Sequence, residues 1–107
     1  DHLSSKQKKL ANVILAAAAG WSCEVGGRAL TGGGCQAFYT PKEWENREEL
    51  YGLTSELIVC HDGGDLSCYF NYDYCAYEHV DKMNAALEKV GYYAEQCTSW
   101  YTAIYPV

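Results

Sequence analysis

The sequence predicts an α+β sandwich: a four-stranded antiparallel sheet with two helices on one face, preceded by an extra N-terminal segment and braced by disulfides. Three observations predict it. Six cysteines, at positions 23, 35, 60, 68, 75 and 97, stand in a chain of 107 residues. Apolar residues recur with a helical period in some stretches and alternate with a strand period in others. Glycine clusters separate these stretches. The length fits one domain spanning residues 1–107. Hydrophobic residues at 49% and charged residues at 21% are values of a globular chain rather than a disordered one.

The first element is preceded by Ser4 and Ser5, either of which can cap a helix running to about Ala18. Leu10, Val13, Ile14 and Ala17 then share one helical face. Val13 and Ile14 are β-branched, so a strand from residue 11 onward remains an alternative. Lys6–Ala19 also has the profile of a signal peptide but is read as folded structure. Glycines at 26, 27 and 32–34 make a turn-rich stretch before a short apolar run, Cys35–Tyr39.

Thr40-Pro41-Lys42-Glu43 is a helix start, with Thr40 as N-cap, Pro41 in the first turn and Glu43 completing a capping box. Trp44, Leu50 and Tyr51 form the expected buried stripe of a helix ending near Gly52. Glu56–His61 reads as a strand, Asp62–Asp65 as a turn, and Leu66–Glu78 as a long aromatic strand. With a three-residue turn and a glycine bulge, that hairpin sets Cys60 opposite Cys68. A second helix follows, capped by Asp81, with Met83, Leu87, Val90, Ala94 and Cys97 on one seam. Trp100–Tyr105 closes the chain as a strand, and Pro106 fits only an edge or an end. From Cys35 the order is β-α-β-β-α-β, the split β-α-β or ferredoxin-like sandwich.

The cysteines contain no C-x-x-C clip and no His-x-x-x-His, the usual sources of a zinc tetrahedron, so a disulfide framework is the better reading. Cys68 and Cys75 on one strand would lie about 23 Å apart, beyond bonding reach. Cys97 is expected to find Cys75 or Cys60, while Cys23 and Cys35 close their own loop.

Fourteen acidic residues against 8 basic give a net charge of −6. That sign repels phosphate backbones and anionic lipid, so neither a nucleic acid nor a membrane is an expected partner. The basic cluster Lys6, Lys8, Lys9 reads as a solvated turn. No apolar run reaches the ~20 residues that span a bilayer. The triple glycine lacks a following Gly-Lys-Ser/Thr and is no phosphate loop. Asp62 and Asp65 supply too few oxygens for calcium, and no cofactor or metal is expected.

The densest acid–base set is His61, Asp62, Asp65, Glu78 and His79. A ribonuclease or other hydrolase built on His61 and His79 is one function class this set allows. Yet carboxylates placed directly after a histidine in a turn more often cap backbone. Ten tyrosines point elsewhere. On the expected strand Leu66–Glu78, Tyr69, Asn71, Asp73, Tyr77 and His79 would share a face mixing aromatic and polar groups, as protein-binding surfaces do.

Length, even cysteine count, acidic Tyr/Gly-rich composition and β-α-β-β-α-β order together resemble the small secreted cysteine-rich effectors of filamentous plant-pathogenic fungi. Several members of that class, and the related virally encoded killer toxins that the pattern also resembles, have disulfide-tied α/β sandwiches. The ribonuclease-like effectors differ in carrying an N-terminal Tyr-x-Cys that this sequence lacks. The resemblance implies a secreted, extracellular protein, with passage into host cells as a variant of that location. An Asp at position 1 suits a processed secreted chain. The resemblance further implies a non-enzymatic virulence effector that binds a host or co-secreted protein, with a killer-type antimicrobial toxin as the alternative.

Overall fold

A computed structural model describes residues 3–18, 37–61 and 66–107. Cys23, Cys35, the glycine-rich segment and the Asp62–Asp65 turn lie outside the described residues.

Helix α1 spans Ser5–Ala18. Ser4 Oγ accepts from the Gln7 N–H at 3.1 Å, and Gln7 Oε1 accepts from the Ser4 N–H at 2.9 Å. This reciprocal cap satisfies two donors that a helix start leaves open. Leu10, Ala11, Ile14 and Leu15 are buried. Their spacing puts them on one side of a helix but on both sides of a strand, which decides between the two alternatives.

Strand β1 is Phe38–Tyr39, and helix α2 is Pro41–Asn46. The capping box forms as expected: Thr40 Oγ1 accepts from the Glu43 N–H at 3.1 Å, and Glu43 Oε1 accepts from the Thr40 N–H at 2.8 Å. The helix stops well short of Gly52, because Glu48 takes a left-handed φ of 66°. Trp44 is fully buried, but Leu50 and Tyr51 lie past that break and are exposed. Gly52 has φ of 82°, and a Cβ there would sit 2.8 Å from Ile58 Cδ1. Glycine is therefore what lets this loop lie against the sheet.

Strand β2, Leu57–Cys60, is buried at all four positions. The chain beyond it departs from the expected hairpin. Leu66–Glu78 is not a strand: Ser67–Phe70 forms a helical turn, α3, and Tyr72–Tyr74 a 3-10 turn. Leu66, Ser67, Phe70 and Asn71 are the buried residues here. Those positions follow a helical period, so burial on one side requires a helix whatever the aromatic content favours.

Helix α4 spans Tyr77–Lys89, starting before Asp81 and ending well before Cys97. Its buried stripe is Val80, Met83 and Leu87. Gly91, with φ of 86°, terminates it, and its N–H donates to Glu88 O at 3.1 Å. Left-handed glycine is the common helix stop. Ala94 and Cys97 therefore continue no helical seam. Tyr92–Gln96 is strand β3, Cys97 begins the turn, and Tyr101–Pro106 is strand β4.

The sheet is antiparallel throughout, in the order β1-β2-β4-β3. Ile58 faces Ala103 and Cys60 faces Tyr101 in one ladder, and Ala94 faces Ile104 in the other. The described elements from β1 thus run β-α-β-α-α-β-β, an open α+β sheet whose sequence of strands is not the split β-α-β expected. Alternation sorts the core onto two faces. Leu57, Val59 and Ile104 meet Leu10, Ile14, Phe70, Met83 and Leu87 on one face. Ile58, Cys60, Tyr101 and Ala103 meet Tyr39 and Trp44 on the other. The helix carrying Trp44 therefore covers the face opposite α4, not the same face.

No two of Cys60, Cys68, Cys75 and Cys97 are joined to each other. Cys97 sits beside the hairpin turn, its N–H donating to Tyr101 O, and Tyr101 is also the register partner of Cys60. Cys60 and Cys97 thus flank Tyr101 on either side, two strand spacings or about 10 Å apart, outside disulfide geometry. The helical turns also remove the extended separation that set Cys68 and Cys75 apart.

Candidate functional site

The surface built by residues 71–79 starts from a buried anchor. Asn71 is buried, with its Nδ2 donating to Ser99 O at 3.0 Å. Its Oδ1 accepts from the Asp73 N–H at 2.9 Å and from Gln96 Nε2 at 3.1 Å. Gln96 in turn accepts the Tyr72 N–H at 3.1 Å. The side-chain-to-backbone bond from Asn71 to Asp73 forms an Asx turn, which starts the 3-10 segment. Together these bonds pin the segment to the β3–β4 hairpin.

Cys75 then reverses the chain with φ of 55°. What the pinned loop displays is aromatic: Tyr72, Tyr74 and Tyr77 are 50%, 52% and 60% exposed. Asp73, Cys75, Glu78 and His79 are exposed between and beside them. Cys75, Ala76, Tyr77, Glu78 and His79 line a shallow open depression. A hydrogen bond to Cys75 raises the Tyr77 hydroxyl pKa above its ordinary value.

The five residues expected on one strand face are divided between support and display. Tyr69 is half-buried, its hydroxyl donating to Ala18 O at 2.6 Å, and burial raises its pKa. Its ring lies 4.9 Å from that of His79. Asn71 is the buried anchor. Asp73, Tyr77 and His79 reach solvent. Tyr72 and Tyr74 belong to the display, although strand alternation assigned them to the opposite face. The signal for them was present in Asn71-x-Asp73, an Asx-turn pattern that breaks a strand.

His61 takes no part in this surface. It is fully buried, its ring stacks on Phe70 at 5.7 Å, and its Nε2 lies 2.9 Å from Thr102 Oγ1. The Ser67 hydroxyl donates to its carbonyl oxygen. Burial lowers its pKa to about 4, so the ring is neutral at physiological pH. Buried His61 and exposed His79 form no common solvent-facing pair. Among the described residues no three His, Cys, Asp or Glu side chains gather as a metal site. No helix among them is long and apolar enough to cross a membrane.

Fold and surface define a small α+β protein with an open antiparallel sheet and a rigidly mounted, tyrosine-bearing loop. No family model matches the chain, and no curated protein or solved structure matches it.

Proposed function

We propose that this is a secreted, non-enzymatic effector that acts by binding another protein, from a host or co-secreted, through residues 72–79. The observation that supports this is the exposure of Tyr72, Tyr74 and Tyr77 on a loop held by Asn71. Tyrosine offers large amphipathic contact area with little rotamer entropy to lose, and a pinned loop loses little more on binding. Asp73 and Glu78 beside the rings favour a partner surface carrying lysine or arginine. Burial of His61 weighs against a hydrolase based on His61 and His79.

Immobilised protein is expected to capture one partner from the secretome or target tissue. Substituting Tyr72, Tyr74 and Tyr77 together by alanine should weaken that binding by at least roughly a hundredfold, since each central aromatic contributes about 1–2 kcal/mol. The melting temperature should change little, because these rings are largely outside the core. Capture that survives the triple substitution would place the contact elsewhere.

Secretion rests on the even cysteine count and is tested separately. With Cys60, Cys68, Cys75 and Cys97 not joined to one another, bridges can form only through Cys23 and Cys35, so the unreduced native protein should weigh two or four hydrogens less than the reduced chain. Equal masses would remove the argument for an oxidising compartment.

A further inference from the structure

Strand β3 ends the sheet, and no described strand pairs with its outer side. Which backbone groups face outward follows from two bonds of the β3–β4 ladder. The Cys97 N–H donates to Tyr101 O at 3.2 Å, and the Val107 N–H donates to Gly91 O at 2.9 Å. Antiparallel ladders alternate, so residues 91, 93, 95 and 97 turn their backbone groups toward β4. Tyr92, Ala94 and Gln96 turn theirs outward. The strand carries little of the usual edge protection: β3 has no proline, and its one charge is Glu95. At the other end of the sheet β1 is only two residues long.

We infer that β3 is a dimerisation edge, pairing antiparallel with β3 of a second copy about a two-fold axis at Ala94. In that register Tyr92 faces Gln96 of the second copy, and Ala94 faces Ala94. All three outward N–H groups of each strand then find an acceptor. On the face carrying the Tyr93–Tyr105 stack, Tyr93 lies opposite Glu95 of the second copy, phenol against carboxylate. A shift of the axis to residue 95 sets the two Glu95 carboxylates against each other. A shift to residue 93 leaves the outward groups of Gln96 unpaired. The sequence YYAEQ is therefore self-complementary in one register, and the result is a continuous eight-stranded sheet, twice the four of one chain.

Sedimentation velocity across micromolar to millimolar concentration should show a reversible monomer–dimer equilibrium. Amide exchange at Tyr92, Ala94 and Gln96 should slow as concentration rises. Tyr93→Glu puts a carboxylate opposite Glu95 twice per dimer and should weaken association by roughly tenfold. Adding Glu95→Lys to that variant restores opposite charges in this register alone and should return the affinity. A monomer at every concentration, a dimer indifferent to Tyr93→Glu, or a double variant that stays weak overturns the proposal. Circular dichroism of each variant checks that the fold persists.

Discussion

Trp44→Ala is expected to destabilise the protein by about 3–5 kcal/mol, the usual loss for a large buried aromatic. Trp44 is fully buried. Its ring centre lies 4.8 Å from Tyr39, 4.9 Å from Tyr101 and 5.5 Å from Trp100. The Arg47 guanidinium sits 5.0 Å above it. The indole thus holds together β1, α2, β4 and the hairpin turn on one side of the sheet. A short helix such as α2 has little stability of its own, so it depends on this contact. Domains of this size have roughly 5–15 kcal/mol in total, and the variant should melt at far lower denaturant concentration. Trp44→Phe keeps a ring and should lose noticeably less. A midpoint for Trp44→Ala within experimental error of the parent would mean this face is not a core.

Acidification is expected to cost about 3 kcal/mol of stability between pH 6.5 and pH 4 through His61 alone. The folded-state pKa of about 4 lies below the ordinary 6.5, because burial penalises the charged ring. In the unfolded chain His61 binds its proton first as pH falls. Its contribution is therefore complete above about pH 6.5 and is lost as pH drops toward 4. Each pKa unit is worth about 1.4 kcal/mol, which sets the size of the effect. Among the described residues Nδ1 has no hydrogen-bond partner, and the backbone of His61 itself offsets only part of the burial penalty. His61→Gln removes the titration and leaves an amide able to reach Thr102. The difference in unfolding free energy between parent and variant should change across this window and be flat above it. Parallel pH profiles would show that the imidazole charges without penalty.

Local chemistry was legible wherever a few adjacent residues decide the outcome. The capping box of Thr40 and Glu43 formed as read, and the run after Glu56 became a strand. Ser4, one of two candidate caps, starts α1. Legibility failed where two periods competed for the same residues. In Leu66–Glu78 the aromatic content favoured a strand, yet Leu66 and Phe70 lie one helical turn apart and both fill the same face of the core. The seam drawn through Met83, Leu87 and Ala94 crossed Gly91, whose positive φ ended the helix and released Tyr92 into the sheet. In the exposed loop, Asp73, Tyr77 and His79 reach solvent as expected, but on helical turns rather than on one strand face. The exposure of Tyr72 and Tyr74 was not legible because strand alternation hid the Asx turn at Asn71.

By itself the amino-acid sequence determined the α+β class, the acidic surface, the helix starts at Ser5 and Pro41 and the wealth of tyrosine. These are properties of composition and of contacts within one helical turn. Tertiary structure alone decided which strands are neighbours, that Trp44 and α4 lie on opposite sides of the sheet, and that His61 is sealed while Tyr72, Tyr74 and Tyr77 are displayed. The physical reason is that burial depends on partners far apart in the chain: Asn71 is held by Ser99 and Gln96, and His61 by Thr102. No window of neighbouring residues contains those bonds.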